Sequence, residues 1–283
     1  MPITPFRALA CPLDATPLAP AGTTWRCGAG HSFDIASQGY VNLLPVQHKR
    51  SRDPGDSKEM VAARRRFLNS GHYQPIAAAV SRAVLADCHP GAPLACLDAG
   101  CGEGYYLRQL AASAAAAGQP LELLGLDISK WAVLAAAPQG RGATGVVGSN
   151  ARLPALDASL GRVLCLFGFP VYGEFARVVK PGGQLLLVDA GPDHLRELRA
   201  IIYPQLKAER PRDPAPPAGF SCLAEETLRY RLAIAGAAQI ADLLAMTPHL
   251  YRASAEGRAR AAALTAIELT IDVRLTRLLR DPA

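Results

Sequence analysis

The stretch LDAGCGEGYY, residues 97–106, decides the fold of this chain. An apolar run, LACLD at 94–98, reads as a buried strand ending in Asp98, and a helix opens near Gly104. Glycines between a strand and a helix let a ligand approach the backbone, and the helix N-terminus favours a carboxylate or phosphate. A P-loop would end in G-K-[ST], which is absent, and a G-x-G-x-x-G fingerprint from Gly100 would need glycine where Tyr105 stands. Outward from this loop, apolar runs and helical patterns alternate. Strands are expected at 121–127, 145–149, 163–167 and 184–189, and helices at 105–117, 129–137 and 172–179. A further strand is possible at 228–234, with a β-branched run at 267–273. The pattern predicts an α/β fold, a doubly wound, mostly parallel sheet covered on both faces.

The spacing Asp98-x-Gly100-x-Gly102-x-Gly104 resembles the S-adenosylmethionine loop of class I Rossmann-like methyltransferases. Asp127, ending the next expected strand, stands where a carboxylate can accept both ribose hydroxyls, and Asn150 could meet the adenine. Pro181-Gly182-Gly183 before the fifth strand is also common in that superfamily.

Composition sets the outer limits. The 283 residues are 50% apolar and 19% charged, and no apolar run is long enough for a transmembrane helix. The first residues lack the pattern of a secretory signal, and seven cysteines without a C-x-x-C pair argue for reduced thiols, so a cytoplasmic protein is expected. Cys165 lies inside an expected strand and reads as core rather than as a nucleophile. The formal charge of +6 is uneven: residues 46–75 carry a net +4, from Lys49, Arg50, Arg52, Lys58 and Arg64 to Arg66 against three acids. Such a segment suits a polyanion, or is a solvated helix face. A helix is expected from Asp56, with Glu59 three residues on as its capping partner, and a second with Ile76, Val80 and Val84 on one side. Residues 1–45 are turn-rich and read as a small β module, 46–75 as a basic linker and helix, and 76–283 as the methyltransferase domain.

The run HSFDIASQGYVNLLPVQHKRSRDPGDSKEMVAARRRFLNSGHYQP, residues 31–75, closely resembles the bacterial 23S ribosomal RNA guanine-N1 methyltransferases, a group that includes a tylosin-resistance enzyme. Similarity continues at 97–106, ARVVKPGG (176–183), GPDHL (191–195) and MTPHLYRA (246–253). The resemblance implies methylation of a guanine N1 in a 23S rRNA hairpin, position 745 of hairpin 35, with the neighbouring position 748 and macrolide resistance as an alternative. It also implies a zinc-ribbon-like N-terminal module, RNA binding and a homodimer, and it puts the cofactor against Tyr73, Glu103, Gly104 and His194. The family's metal pattern is altered. Cys11-Pro12-Leu13-Asp14 has aspartate where a second cysteine belongs, while Cys27-Gly28-Ala29-Gly30-His31 keeps the other pair. Cys11, Asp14, Cys27 and His31 can still hold Zn2+ tetrahedrally, or the module folds without metal around Trp25, Phe33 and Ile35. Lys49, Arg50, Arg52 and Arg64 to Arg66 are the candidates for gripping RNA phosphates, and Asp189 or Glu103 for the general base. A small-molecule methyltransferase would use the same glycine loop but has no use for the basic segment, and an RNA-binding protein without activity has no use for the intact loop.

Overall fold

The computed structural model describes residues 3–48, 51–88, 91–137, 142–206 and 215–282. The N-terminal part contributes β1 (Ile3–Pro5), β2 (Leu18–Ala21), β3 (Thr24–Cys27), β4 (Ser32–Asp34) and β5 (Tyr40–Asn42). Two helices follow, α1 (Lys58–Asn69) and α2 (Gln74–Leu85). The alternating region holds β6 (Leu94–Ala99), α3 (Tyr105–Ala116), β7 (Leu121–Asp127), α4 (Lys130–Ala136), β8 (Thr144–Val147) and β9 (Leu160–Leu166). It continues through α5 (Tyr172–Val178), β10 (Val179–Ala190) and α6 (Arg196–Ile202). The chain closes with β11 (Phe220–Ala235), α7 (Ala237–Ala245), α8 (His249–Arg252), α9 (Ala255–Ala262) and β12 (Ala266–Arg280).

The central sheet runs β11-β12-β10-β9-β6-β7-β8-β5, with β1 beside the first residues of β7. All pairs are parallel except those of β12, which runs antiparallel between β10 and β11. Strand order reverses between β6 and β9, and in such sheets the crevice at the carboxyl ends of these two strands is where ligands bind. Alternate residues feed opposite layers: Cys96 and Leu123 join one core with Ile76, Val80 and Leu110, while Leu97 and Leu124 join the other with Val163 and Phe175.

Two features differ from the sequence reading. The N-terminal residues are sewn into the main body: β1 pairs with β7, β5 pairs with β8, and Phe6, Leu9, Leu18 and Trp25 share the core that holds Leu97 and Leu124. Within 1–45, only β2, β3 and β4 form a separate three-stranded sheet. Helix α1 is capped not by Asp56 but by Ser57, whose Oγ accepts from Met60 N–H at 3.3 Å and donates to Glu59 at 2.9 Å. Asp56 is spent elsewhere. Its carbonyl accepts from Ser129 Oγ at 2.6 Å, and the neighbouring Gly55, at φ +84°, lies so close to Ile128 and Ser129 that a Cβ would collide with them. The linker is thereby pinned behind the end of β7.

Candidate active site and metal centre

The glycine loop is built by the register of β6 and β7. Gly100, Gly102 and Gly104 all have left-handed φ (111°, 55° and 83°), open to glycine at little cost. Their turn wraps the end of β7: Gly100 and Cys101 N–H both donate to the Leu126 carbonyl, at 2.8 and 2.9 Å. Asp127 then clamps the loop, its Oδ2 accepting from Gly102 N–H at 2.9 Å and its Oδ1 from Ser129 N–H at 2.8 Å. Burial pushes this carboxyl up and the two N–H groups pull it down. At the end of β6, Asp98 is buried with Oδ1 unpartnered, and burial, then the charge of Asp127, raises its carboxyl to about 7.

A cavity of about 610 Å³ opens at this crevice, walled by Tyr73, Gly102, Glu103, Asp127, Asp189 and His194 among others. That volume suits a nucleoside cofactor with a base beside it. A Cβ at Gly100 would meet nothing within 4 Å, so the loop presents open backbone. The open cradle, the unused Asp98 oxygen and the Asp127 clamp fit S-adenosylmethionine.

The opposite wall is aromatic. Tyr73 is buried at the start of α2, 6.2 Å from the His194 ring between centroids, and its Oη is 3.4 Å from His194 Nε2. His194 Nδ1 accepts from Asp272 N–H at 3.3 Å, which leaves its proton on Nε2 facing Tyr73. Phe167 completes the group, with ring centroids 5.9 Å from His194 and 6.4 Å from Tyr73. It does so at φ 53°, a strained conformation for a side chain of this size, and strain of this kind gathers at functional sites.

Burial lowers the His194 pKa to about 4. A histidine whose folded pKa lies below its unfolded value takes up a proton on unfolding throughout the window between them, so acid drains stability there. Stability at pH 7.5 should exceed that at pH 5 by about 2 kcal/mol from this residue alone. Urea unfolding at the two pH values checks it, and His194→Asn should flatten the difference.

The remaining sequence candidates are dispersed. Glu103 is buried and held by Arg108 at 2.8 and 3.0 Å; burial raises its carboxyl and Arg108 opposes the rise. Asn150 donates to the Ala99 carbonyl at 3.2 Å, its own Oδ1 buried and unpartnered. Asp189, at the end of β10, is exposed on the cavity wall. Cys165 is buried in β9, its thiol pushed up to about 12 by burial, which suits a core residue. Of the basic run, Lys49 and Arg50 lie outside the described residues. Arg52 and Arg65 are exposed. Arg66 pairs with Asp242, and Arg64 turns into the cavity wall, pairing with Asp56 and donating to the Met246 carbonyl at 3.0 Å. The sequence reading missed Arg64 as a cavity residue and Phe167 altogether; the signal for the latter was its place directly after β9.

In the N-terminal sheet, the turn after Cys11 and the knuckle after Cys27 face each other. The donor atoms of Cys11, Asp14, Cys27 and His31 lie within 4.8 Å of one another. His31 Nδ1 is 3.5 Å from Cys11 Sγ, 3.3 Å from Cys27 Sγ and 3.1 Å from Asp14 Oδ2, and Cys27 Sγ is 3.5 Å from Asp14 Oδ2. With zinc–ligand bonds of about 2.0–2.3 Å, tetrahedral edges are roughly 3.3–3.8 Å, so the donors fit a zinc ion closely. Thr16 holds the other Asp14 oxygen through its N–H at 3.0 Å and its hydroxyl at 2.7 Å, and these bonds keep the carboxylate strongly acidic.

Comparison with known proteins matches a family over each of the two regions. Residues 9–52 match the zinc-ribbon family described as "RlmA, N-terminal", and residues 96–183 match the family "Methyltransferase domain". A Micromonospora griseorubida protein named for 23S rRNA (guanine-N(1)-)-methylation is 37% identical, covering 95% of this chain and 96% of its own length. The Streptomyces fradiae 23S rRNA (guanine(748)-N(1))-methyltransferase is 37% identical over 68% of this chain and 66% of its own. Bacillus subtilis YxjB, named for the same class of reaction, is 30% identical over 95% of each chain. Glycine loop, ribbon and chain-long similarity together make this chain a member of the 23S rRNA (guanine-N1)-methyltransferase family.

Proposed function

We propose that the protein transfers a methyl group from S-adenosylmethionine to N1 of a guanine in 23S rRNA, at position 745 of hairpin 35. The observation that carries guanine methylation is the Asp127-clamped glycine loop at the β6–β9 crevice, in a chain 37% identical to a Micromonospora griseorubida relative over 95% of its length, while position 745 rests on the sequence resemblance alone. When bound, the cofactor supplies an electrophilic methyl group on a sulfonium. The chain's residues do the rest. Asp127 would accept the ribose hydroxyls, Asn150 Oδ1 the adenine amine, and Asp98 the amino group of the methionine part. Tyr73 and Phe167 would offer the sulfonium aromatic faces. Glu103, locked by Arg108, stiffens the loop rather than exchanging protons. Neutral guanine carries a proton on N1, and Asp189 is the carboxylate proposed to take it as attack proceeds. A base inside a duplex cannot reach the crevice, so the guanine is extruded or unpaired.

Cys11, Asp14, Cys27 and His31 would hold Zn2+ as a closed four-ligand site that leaves no position for substrate, so its role is structural. Arg52 and Arg65, with Lys49 and Arg50, would meet RNA phosphates, and Arg50→Ala with Arg52→Ala should weaken binding and flatten its salt dependence. No helix among the described residues is long and apolar enough to cross a membrane. From the family resemblance alone we propose a cytoplasmic homodimer.

The test is 23S rRNA from a strain lacking the modification, incubated with protein and S-adenosylmethionine. Mass spectrometry should find new 1-methylguanosine, and primer extension should stop at 745. A stop at 748 would move the site, and no product despite cofactor binding would overturn the reading.

A further inference from the structure

The loop after β9, Phe167-Gly168-Phe169-Pro170, lies at the crevice where strand order reverses, across from the glycine loop. Its two phenylalanines differ. Phe167 belongs to the aromatic wall, its N–H bonded to the Val188 carbonyl at 2.7 Å. Phe169 also borders the cavity but is 86% exposed, the highest of any large hydrophobic side chain among the described residues. The loop is held from behind: a Cβ at Gly168 would stand 3.1 Å from Cys165 Sγ, and Pro170 restricts the backbone of Phe169. A lone apolar side chain on a surface needs no explanation. An aromatic ring kept in water at the mouth of the cavity fitted to a methyl donor does.

We infer that Phe169 is the stacking platform for the extruded guanine, which enters between β6 and β9 and lies on this ring with its N1 directed into the cavity. The inference rests on the function proposed above. A base taken out of a helix loses its stacked neighbours, and an exposed aromatic side chain replaces one of them. Every base has a π face, so the platform supplies affinity and orientation while discrimination falls to hydrogen bonds deeper in the crevice.

The experiment compares wild type with Phe169→Ala, Phe169→Leu, Phe169→Tyr and Phe169→Trp, on unmodified 23S rRNA at saturating S-adenosylmethionine. Phe169→Ala should lower kcat/KM for RNA roughly ten- to a hundredfold, mainly through KM, with calorimetric affinity for the cofactor unchanged. Tyr and Trp should restore it to within about threefold and Leu should not, because only the former offer a π face. Rescue by Leu as full as by Tyr would overturn the platform, as would full activity of Phe169→Ala. So would a loss of self-association in light scattering with methylation intact, which would make the ring a contact between copies. A wild type that methylates no 23S rRNA would take the inference down together with the function reading, whereas an active wild type with an indifferent Phe169 sinks the inference alone.

Discussion

Replacing Asp127 with alanine should weaken S-adenosylmethionine binding by about a hundredfold or more in isothermal titration calorimetry. The carboxylate does two jobs at once. It closes the glycine loop through Gly102 N–H and the following turn through Ser129 N–H, and in the proposed function it would also accept the ribose hydroxyls. Hydrogen bonds to a charged group are worth roughly 1.5–3 kcal/mol each, so losing both ribose contacts alone accounts for about 3 kcal/mol or more. Asparagine should be little better, because its amide group would turn a donor toward an N–H that already donates. Circular dichroism should show a folded protein throughout, since Asp127 lies at the end of its strand rather than within the core. Unchanged affinity would mean that the ribose lies elsewhere.

With Zn2+ loaded on the four donors, its removal should release the N-terminal sheet and leave the rest folded. Trp25 and Cys27 share β3, both buried, and Cys11 is buried beside them. A chelator should therefore shift Trp25 fluorescence to the red, read in a Trp131→Phe background, and expose Cys11 and Cys27 to a thiol reagent. Cys96, Cys101 and Cys165 should stay protected, being buried in the main body. Asp14→Cys should bind zinc more tightly, because thiolate is the softer ligand. Thr16→Val, which removes the hydroxyl bond to one Asp14 oxygen and leaves the backbone N–H bond in place, should weaken zinc roughly tenfold. Zinc content and thiol reactivity unaffected by Asp14→Ala would remove aspartate from the ligand set.

The strands that carry the cofactor loop were legible because both faces of β6 and β7 are buried, and a strand of that kind writes itself as a continuous apolar run. The four metal donors were legible through the family resemblance, whose ligand pattern this sequence keeps except at Asp14. Other features were hidden for physical reasons. Strand β11 extends well beyond the expected 228–234, but it is an edge strand, largely exposed and carrying Glu225, Glu226, Arg229 and Arg231, so little of it looks apolar. Strand β12 conceals Arg274 and Arg277 by pairing them with Glu225 and Asp87. The run Arg64-Arg65-Arg66 reads as one basic patch, yet consecutive helical residues stand about 100° apart. The three guanidinium groups accordingly divide among the cavity wall, solvent and Asp242. Phe169 was invisible as a surface residue because sequence patterns count phenylalanine as core.

The sewing of the N-terminus into the central sheet also orders events during synthesis. β1 and β5 leave the ribosome first, yet their partners in β7 and β8 follow more than a hundred residues later. Until then Phe6 and Leu9 have no core to enter, because the sheet face that buries them has not been made. The three-stranded ribbon needs only neighbours close in sequence, so it can pair early, while pairings this distant form late and slowly. The nascent chain thus carries an early-paired ribbon whose flanking strands, and whose Leu18 and Trp25, wait for the second half of the sheet.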